Sequence, residues 1–157
     1  MAMTFKEALN QTPQLATAWR AGLQALRAED RPHIKAENTR KLTGSADIDA
    51  AYLAVQPNAN RWDFGIGYQH TNREAEVIYW VETHTASDSE VSVVIKKAQW
   101  LLGWLKTEGK LLAAFERDIY WVASGRTKFT PAATKLKQLA LMGVKFAGSA
   151  LHIPTNR

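Results

Sequence analysis

Two spacings of apolar residues divide this chain, the three-to-four step of helices and the two-step of strands. Leu15, Trp19, Leu23 and Leu26 recur at helical spacing, so residues 13–28 are predicted to form an amphipathic helix. Thr12 before Pro13 supplies an N-cap with proline at the first helical position. Gly22 falls on the same face and either weakens the helix or lets a neighbour approach closely. The polar stretch AEDRPHIKAENTRKLTGS reads as a long loop, made basic by Lys35, Arg40 and Lys41. Residues 48–55 are apolar and read as a first strand, followed by the turn signal Pro57-Asn58-Ala59-Asn60. Over 61–68, Trp62, Phe64, Ile66 and Tyr68 alternate with Asp63, Gly65 and Gly67, a strand period. The two glycines leave the Asp63 face open to a close approach. Residues 76–84 are denser in apolar, β-branched and aromatic types, as in a central strand.

Beyond this strand, Ser87 or Asp88 caps a long helix. Its buried stripe is Val91, Ile95, Ala98, Leu102 and Leu105, and Gly109 ends it. Residues 118–123, DIYWVA, form a further strand. Thr130-Pro131 opens another helix, with Leu136 and Leu139 near its inner face and Gly143 as its stop. Residues 144–153 read as a last strand, closed by Pro154. The resulting order, α-β-β-β-α-β-α-β, is that of an α/β fold: a mixed sheet flanked by helices on both faces.

A length of 157 residues fits one domain, spanning 1–157, and 46% hydrophobic residues suffice for a real core. No window approaches the roughly 18 consecutive apolar residues of a membrane span, and the N-terminus lacks a signal-peptide pattern. Cysteine is absent, which excludes disulfides and thiolate metal sites and points to a reducing, cytoplasmic setting. The net charge of +5, from 20 basic and 15 acidic residues, favours a polyanionic partner.

Two acids stand out against this background. Asp63 lies between Trp62 and Phe64 in a strand pattern, and Glu82 follows Val77-Ile78-Tyr79-Trp80-Val81. A charge at either place needs a partner. Strands joined by the short polar segment 69–76 bring both carboxylates together, which suggests a divalent metal site. In a basic chain that points to phosphodiester chemistry. His33, His70 and His152 are scattered without ligand spacing, so zinc is not expected. Walker A, dinucleotide-binding and nucleophile-elbow patterns are missing.

The element order and these acids resemble the PD-(D/E)XK, or restriction-endonuclease-like, nuclease superfamily. That family carries an acid on its second core strand and an acid-x-Lys element on its third, with a helix following. Asp63 matches the first acid and Glu82 the second. The resemblance spans roughly residues 12–141. His84 departs from it by standing where the family usually has lysine, although alternation puts it on the face of Glu82. Some members carry the lysine on the following helix, where Lys96 and Lys97 are available; Lys97 lies nearer the buried stripe, with Glu90 on its flank.

The resemblance implies Mg²⁺ or Mn²⁺ held by Asp63, Glu82 and the Thr83 carbonyl. It also implies a water oriented or deprotonated by Lys97 or His84, and DNA ahead of RNA as substrate. Asp47 and Asp49, which share one face if the first strand begins that early, are candidates to hold a second metal or to position the first. Arg61, Arg126 and Lys128 are candidate nucleic-acid contacts, the last two in the basic segment 125–128. A homodimer suits cleavage of both strands. The competing readings are a catalytically inactive nuclease-fold protein that binds nucleic acid or a protein partner, and a structural protein whose acids are incidental. Six tryptophans are many for this length. Trp100 and Trp104 can stack on bases or pack a second subunit, but burial within the chain is the stronger expectation.

Overall fold

The computed structural model describes residues 2–85, 88–124 and 133–157. In chain order its elements begin with α1 (Phe5–Asn10), β1 (Ile34–Ala36), β2 (Leu42–Asp47) and α2 (Ile48–Tyr52). Next come β3 (Phe64–Tyr68), β4 (Val77–Thr85), α3 (Asp88–Leu105) and α4 (Lys110–Ala113). The chain closes with β5 (Glu116–Ser124), α5 (Ala133–Leu141), β6 (Val144–Phe146) and β7 (Leu151–Ile153).

Strands β2-β3-β4-β5-β6 form one mixed five-stranded sheet in sequential order. The first three make an antiparallel meander; β5 and β6 join in parallel across α3 and α5. The alternating 61–68 pattern and the apolar 76–84 run are therefore neighbours, with Phe64 opposite Val81, and β4 is the central strand. Side-chain alternation sorts β4 into two faces. Ile78 and Trp80 join the core that contains the inner faces of α1 to α5, with Trp62, Ile119 and Trp121. Val77, Tyr79 and Val81 join a second core closed by Leu23, Leu26, Ile34, Leu151 and Ile153.

The described helices thus gather on one face, not on both as the element order suggested. Successive right-handed crossovers that step the same way along a sheet place their helices on the same side. The other face is covered by turns and by the small parallel pair β1-β7.

The N-terminal third differs most from expectation. Residues 13–28 form consecutive turns, not a helix. Gln14 and Gly22 sit at φ 66° and 53°, which no right-handed helix accommodates. Thr12 closes α1 instead of opening a helix, its hydroxyl donating to the Ala8 carbonyl at 2.7 Å. The real helix is α1, capped reciprocally by Thr4 and Glu7.

The supposed loop contains β1 and the edge strand β2, and 48–55 opens as α2 in place of a strand. Asp47 is the N-cap, accepting the Ala50 N–H at 2.9 Å. The single last strand is also divided. Gly148, at φ 74°, follows β6, and β7 leaves for the other sheet. Helix α3 stops at Leu105, and Gly109 starts α4 rather than ending α3. The Ser87 cap and the Thr130-Pro131 helix start lie outside the described residues.

Gly65 and Gly67 do admit a close approach, but by the protein itself. A Cβ on Gly65 would meet the Trp80 ring at 2.7 Å, and one on Gly67 would meet Thr43 Oγ1 at 2.3 Å and Phe5 at 2.8 Å. Trp104 donates to the Tyr52 hydroxyl at 2.8 Å, and Trp100 stacks on Trp104 while donating to Gln56. Both indoles belong to the packing between α2 and α3.

Candidate active site

The end of β3 and the last half of β4 carry the polar cluster. Asp63 is 3% exposed and Glu82 fully buried. Asp63 immediately precedes β3, opposite Glu82, and the two segments lock through their side chains. The Asp63 N–H donates to Glu82 Oε1 at 3.1 Å, and the Thr83 N–H donates to Asp63 Oδ2 at 3.0 Å. The Thr83 hydroxyl also donates to Asp63 Oδ2, at 3.2 Å. Because a strand residue presents its N–H and C=O at the same edge, the Thr83 carbonyl faces this end of β3 as well.

Lys97 reaches in from α3. Its ammonium touches Glu82 Oε2 and lies 3.3 Å from Asp63 Oδ1, so one cation bridges both acids. The side chain is 16% exposed. Burial works against its charge, but Glu82 and then Asp63 outweigh it and hold its pKa above the ordinary lysine value. Glu82 moves oppositely. Burial pushes it up to about 7; Asp63 adds to the rise, while His84 and Lys97 oppose it.

His84 lies on the Glu82 face, as alternation requires. Its Nδ1 is 3.5 Å from Glu82 Oε2, and its Nε2 contacts Glu90 on the first turns of α3. Hydrogen bonding to Glu82, helped by Glu90, raises its pKa against the effect of burial.

Two residues of the turn segment complete the cluster without having been foreseen. Arg27 approaches Asp63 Oδ1 at 3.9 Å and Asp30 at 3.7 Å. Asp30 is 6% exposed, and burial raises its pKa against the pull of Thr83 and Arg27. Both were read as part of a helix end and a loop. A buried Asp in a polar run has no periodicity to betray it; only the fold of 13–30 over the β3 end places it.

The remaining candidates sit elsewhere or lie outside the described residues. Arg61 is committed to Asp49 at 2.9 Å and to the carbonyls of Gln56 and Ala59, with its side chain 12% exposed. It clasps α2 to the turn before β3. Asp49 is used in that clasp and Asp47 in capping α2, so neither faces Glu82 from a common strand. Arg126 and Lys128 lie outside the described residues.

Among the described residues, no group of three or more Asp, Glu, His or Cys side chains is arranged to hold a metal. The donor set is two buried carboxylates sharing one cation position, which Lys97 fills. Two carboxylates are what Mg²⁺ takes when water and substrate phosphate supply its other ligands. Asp63 and Glu82 would take such an ion only in exchange for the ammonium. No helix among the described residues is long and apolar enough to cross a membrane. Comparison with protein-family models, curated proteins and solved structures yields no match.

Proposed function

We propose that this protein is a metal-dependent nuclease of the restriction-endonuclease-like type, hydrolysing phosphodiester bonds in DNA. The observation that carries the reading is the convergence of Asp63, Glu82 and Lys97 from the second and third strands of the main sheet and the helix that follows. That is the placement expected of a PD-(D/E)XK site whose lysine has moved onto the helix.

Asp63 and Glu82, with the Thr83 carbonyl, would hold Mg²⁺ or Mn²⁺, which supplies a Lewis acid for the phosphate and acidifies bound water. The chain's own groups do the rest. Lys97, released from the carboxylates, offers its ammonium to the phosphate and orients the attacking water. His84, held by Glu90, takes a proton from that water in its neutral form. Oxygen attacks phosphorus, the bond to the leaving oxygen breaks, and the proton passes to that oxygen.

Calorimetric titration with Mg²⁺ and Mn²⁺, beside plasmid cleavage, tests the proposal on the parent and on Asp63→Ala/Glu82→Ala. Binding and cleavage that both vanish in the double variant support it; a parent that binds neither ion and cuts nothing refutes it. The second reading, an inactive nuclease fold that binds nucleic acid or a protein partner, is favoured by two features. Lys97 already occupies the position between the acids, and His84 stands where lysine is usual. A parent without metal binding but with salt-sensitive DNA binding would establish it.

A further inference from the structure

We infer that Arg27 is the residue through which the acid site grips a phosphate of the substrate strand. This rests on the nuclease reading of Asp63, Glu82 and Lys97. The site has two cations of different character. Lys97 is enclosed and engaged by both acids, with its side chain 16% exposed. Arg27 is 56% exposed, and its contacts with Asp63 at 3.9 Å and Asp30 at 3.7 Å are longer than hydrogen bonds. Neither carboxylate therefore saturates its planar fork of five donors, which matches two oxygens of one phosphate.

The backbone behind it is fixed. Leu26 is buried at 2% exposure, the Ala25 N–H donates to Ser45 Oγ at 3.1 Å, and the Arg27 carbonyl accepts from the Asp30 N–H at 3.0 Å. A guanidinium that is held only by long ion pairs on an anchored backbone, beside buried acids and open to solvent, keeps donors for an anion arriving from outside. Asp63 and Asp30 hold the fork at the edge of the cluster. A phosphate taken there lies beside the carboxylates that would carry the metal. The contact positions the strand and carries no base preference.

Two measurements on the parent, Arg27→Ala and Arg27→Lys test this. Fluorescence anisotropy with a labelled 20-base duplex, in EDTA and over a range of salt, reads binding without metal. Steady-state cleavage with Mg²⁺ reads KM and kcat. Arg27→Ala is expected to weaken binding about 5- to 10-fold and to make the slope of log K against log salt shallower by about 0.9, the share of one phosphate. Arg27→Lys restores the slope, because the charge returns, but not the full affinity, because the fork does not. In cleavage, Arg27→Ala raises KM more than it lowers kcat.

An unchanged slope and KM in Arg27→Ala, with a parent that cuts, overturns the Arg27 assignment and leaves the nuclease reading standing. A slope that depends on Arg27 in a parent that cuts nothing keeps the phosphate contact and overturns the nuclease reading. A parent that neither binds the duplex nor cuts DNA overturns both. Loss of slope in Arg27→Ala without recovery in Arg27→Lys also refutes the contact, since it marks a structural role.

Discussion

Replacing Glu82 by Gln should remove a pH dependence from the stability of this protein. Glu82 is fully buried, and its pKa is pushed up from an ordinary 4.5 to about 7, chiefly by burial. A carboxyl raised on folding keeps its proton longer in the native state. Between those two values the unfolded chain ionises first, so stability falls as pH rises from 4.5 to 7 and levels off above. The span from 4.5 to about 7, at about 1.4 kcal/mol for each pH unit, amounts to a loss of about 3 kcal/mol. His84 adds to the same trend. Its pKa is raised by Glu82 first and Glu90 also, so the stability it gives is whole below 6.5 and is lost as pH climbs through its folded pKa.

Glutamine keeps the acceptor for the Asp63 N–H, and Lys97 keeps Asp63 at 3.3 Å. The variant also gives up the charge that Glu82 shares with Lys97, a loss felt only where Glu82 is ionised, and the amide changes the packing by an amount that does not depend on pH. The informative quantity is therefore the parent–variant difference across pH. Urea denaturation at pH 5, 6, 7 and 8 reads it, with the slope on denaturant compared to check that both chains unfold alike. The difference should shift in favour of Glu82→Gln by about 2–3 kcal/mol from pH 5 to 8. A difference that stays flat would show that Glu82 ionises freely in the folded protein, and the account of a desolvated acid would be wrong.

Lys97→Met should destabilise the protein by about 3 kcal/mol at pH 8, because two buried carboxylates then share no enclosed cation. Mg²⁺ at about 100 times its Kd should return up to about 2.7 kcal/mol of that, read as a rise in Tm; a variant as stable as the parent would refute the bridging role. Gly65→Ala puts a methyl 2.7 Å from the Trp80 ring and should cost about 2 kcal/mol in urea melts, with a changed near-ultraviolet tryptophan signal. An unaltered midpoint would mean that Trp80 yields to the methyl without loss.

The β3–β4 pair and its acids were legible because local chemistry and tertiary need agree there. The two-residue period of 61–68, the apolar run before Glu82 and the stripe of α3 each report burial on a single element, and burial is what periodicity records. Lys97 could be ranked only by its angle on the helix, since periodicity describes a face and not the reach of a long side chain. The N-terminal third was misread for a physical reason too. Leu15, Leu23 and Leu26 are apolar because turns bury them, Leu15 in the helix-side core and the other two under the opposite face. A turn with buried side chains can imitate helical spacing. The cues to the helices that do form, α1 and α2, were local and short: Thr4 with Glu7 three residues on, and Asp47 ahead of Ile48 as a cap.

By itself, then, the sequence determined an α/β chain with two adjacent antiparallel strands, a long amphipathic helix after them, and two acids on those strands that needed partners. Only the tertiary structure decided what those partners are. Lys97 meets Glu82 and Asp63 because α3 packs across the face to which Glu82 points. Arg27 and Asp30 join because the 13–30 turns close over the β3 end. Helices α3 and α5 share one face because successive crossovers run the same way. Each of these is a matter of long-range placement, and the free energy that decides it comes from surfaces far apart in the chain.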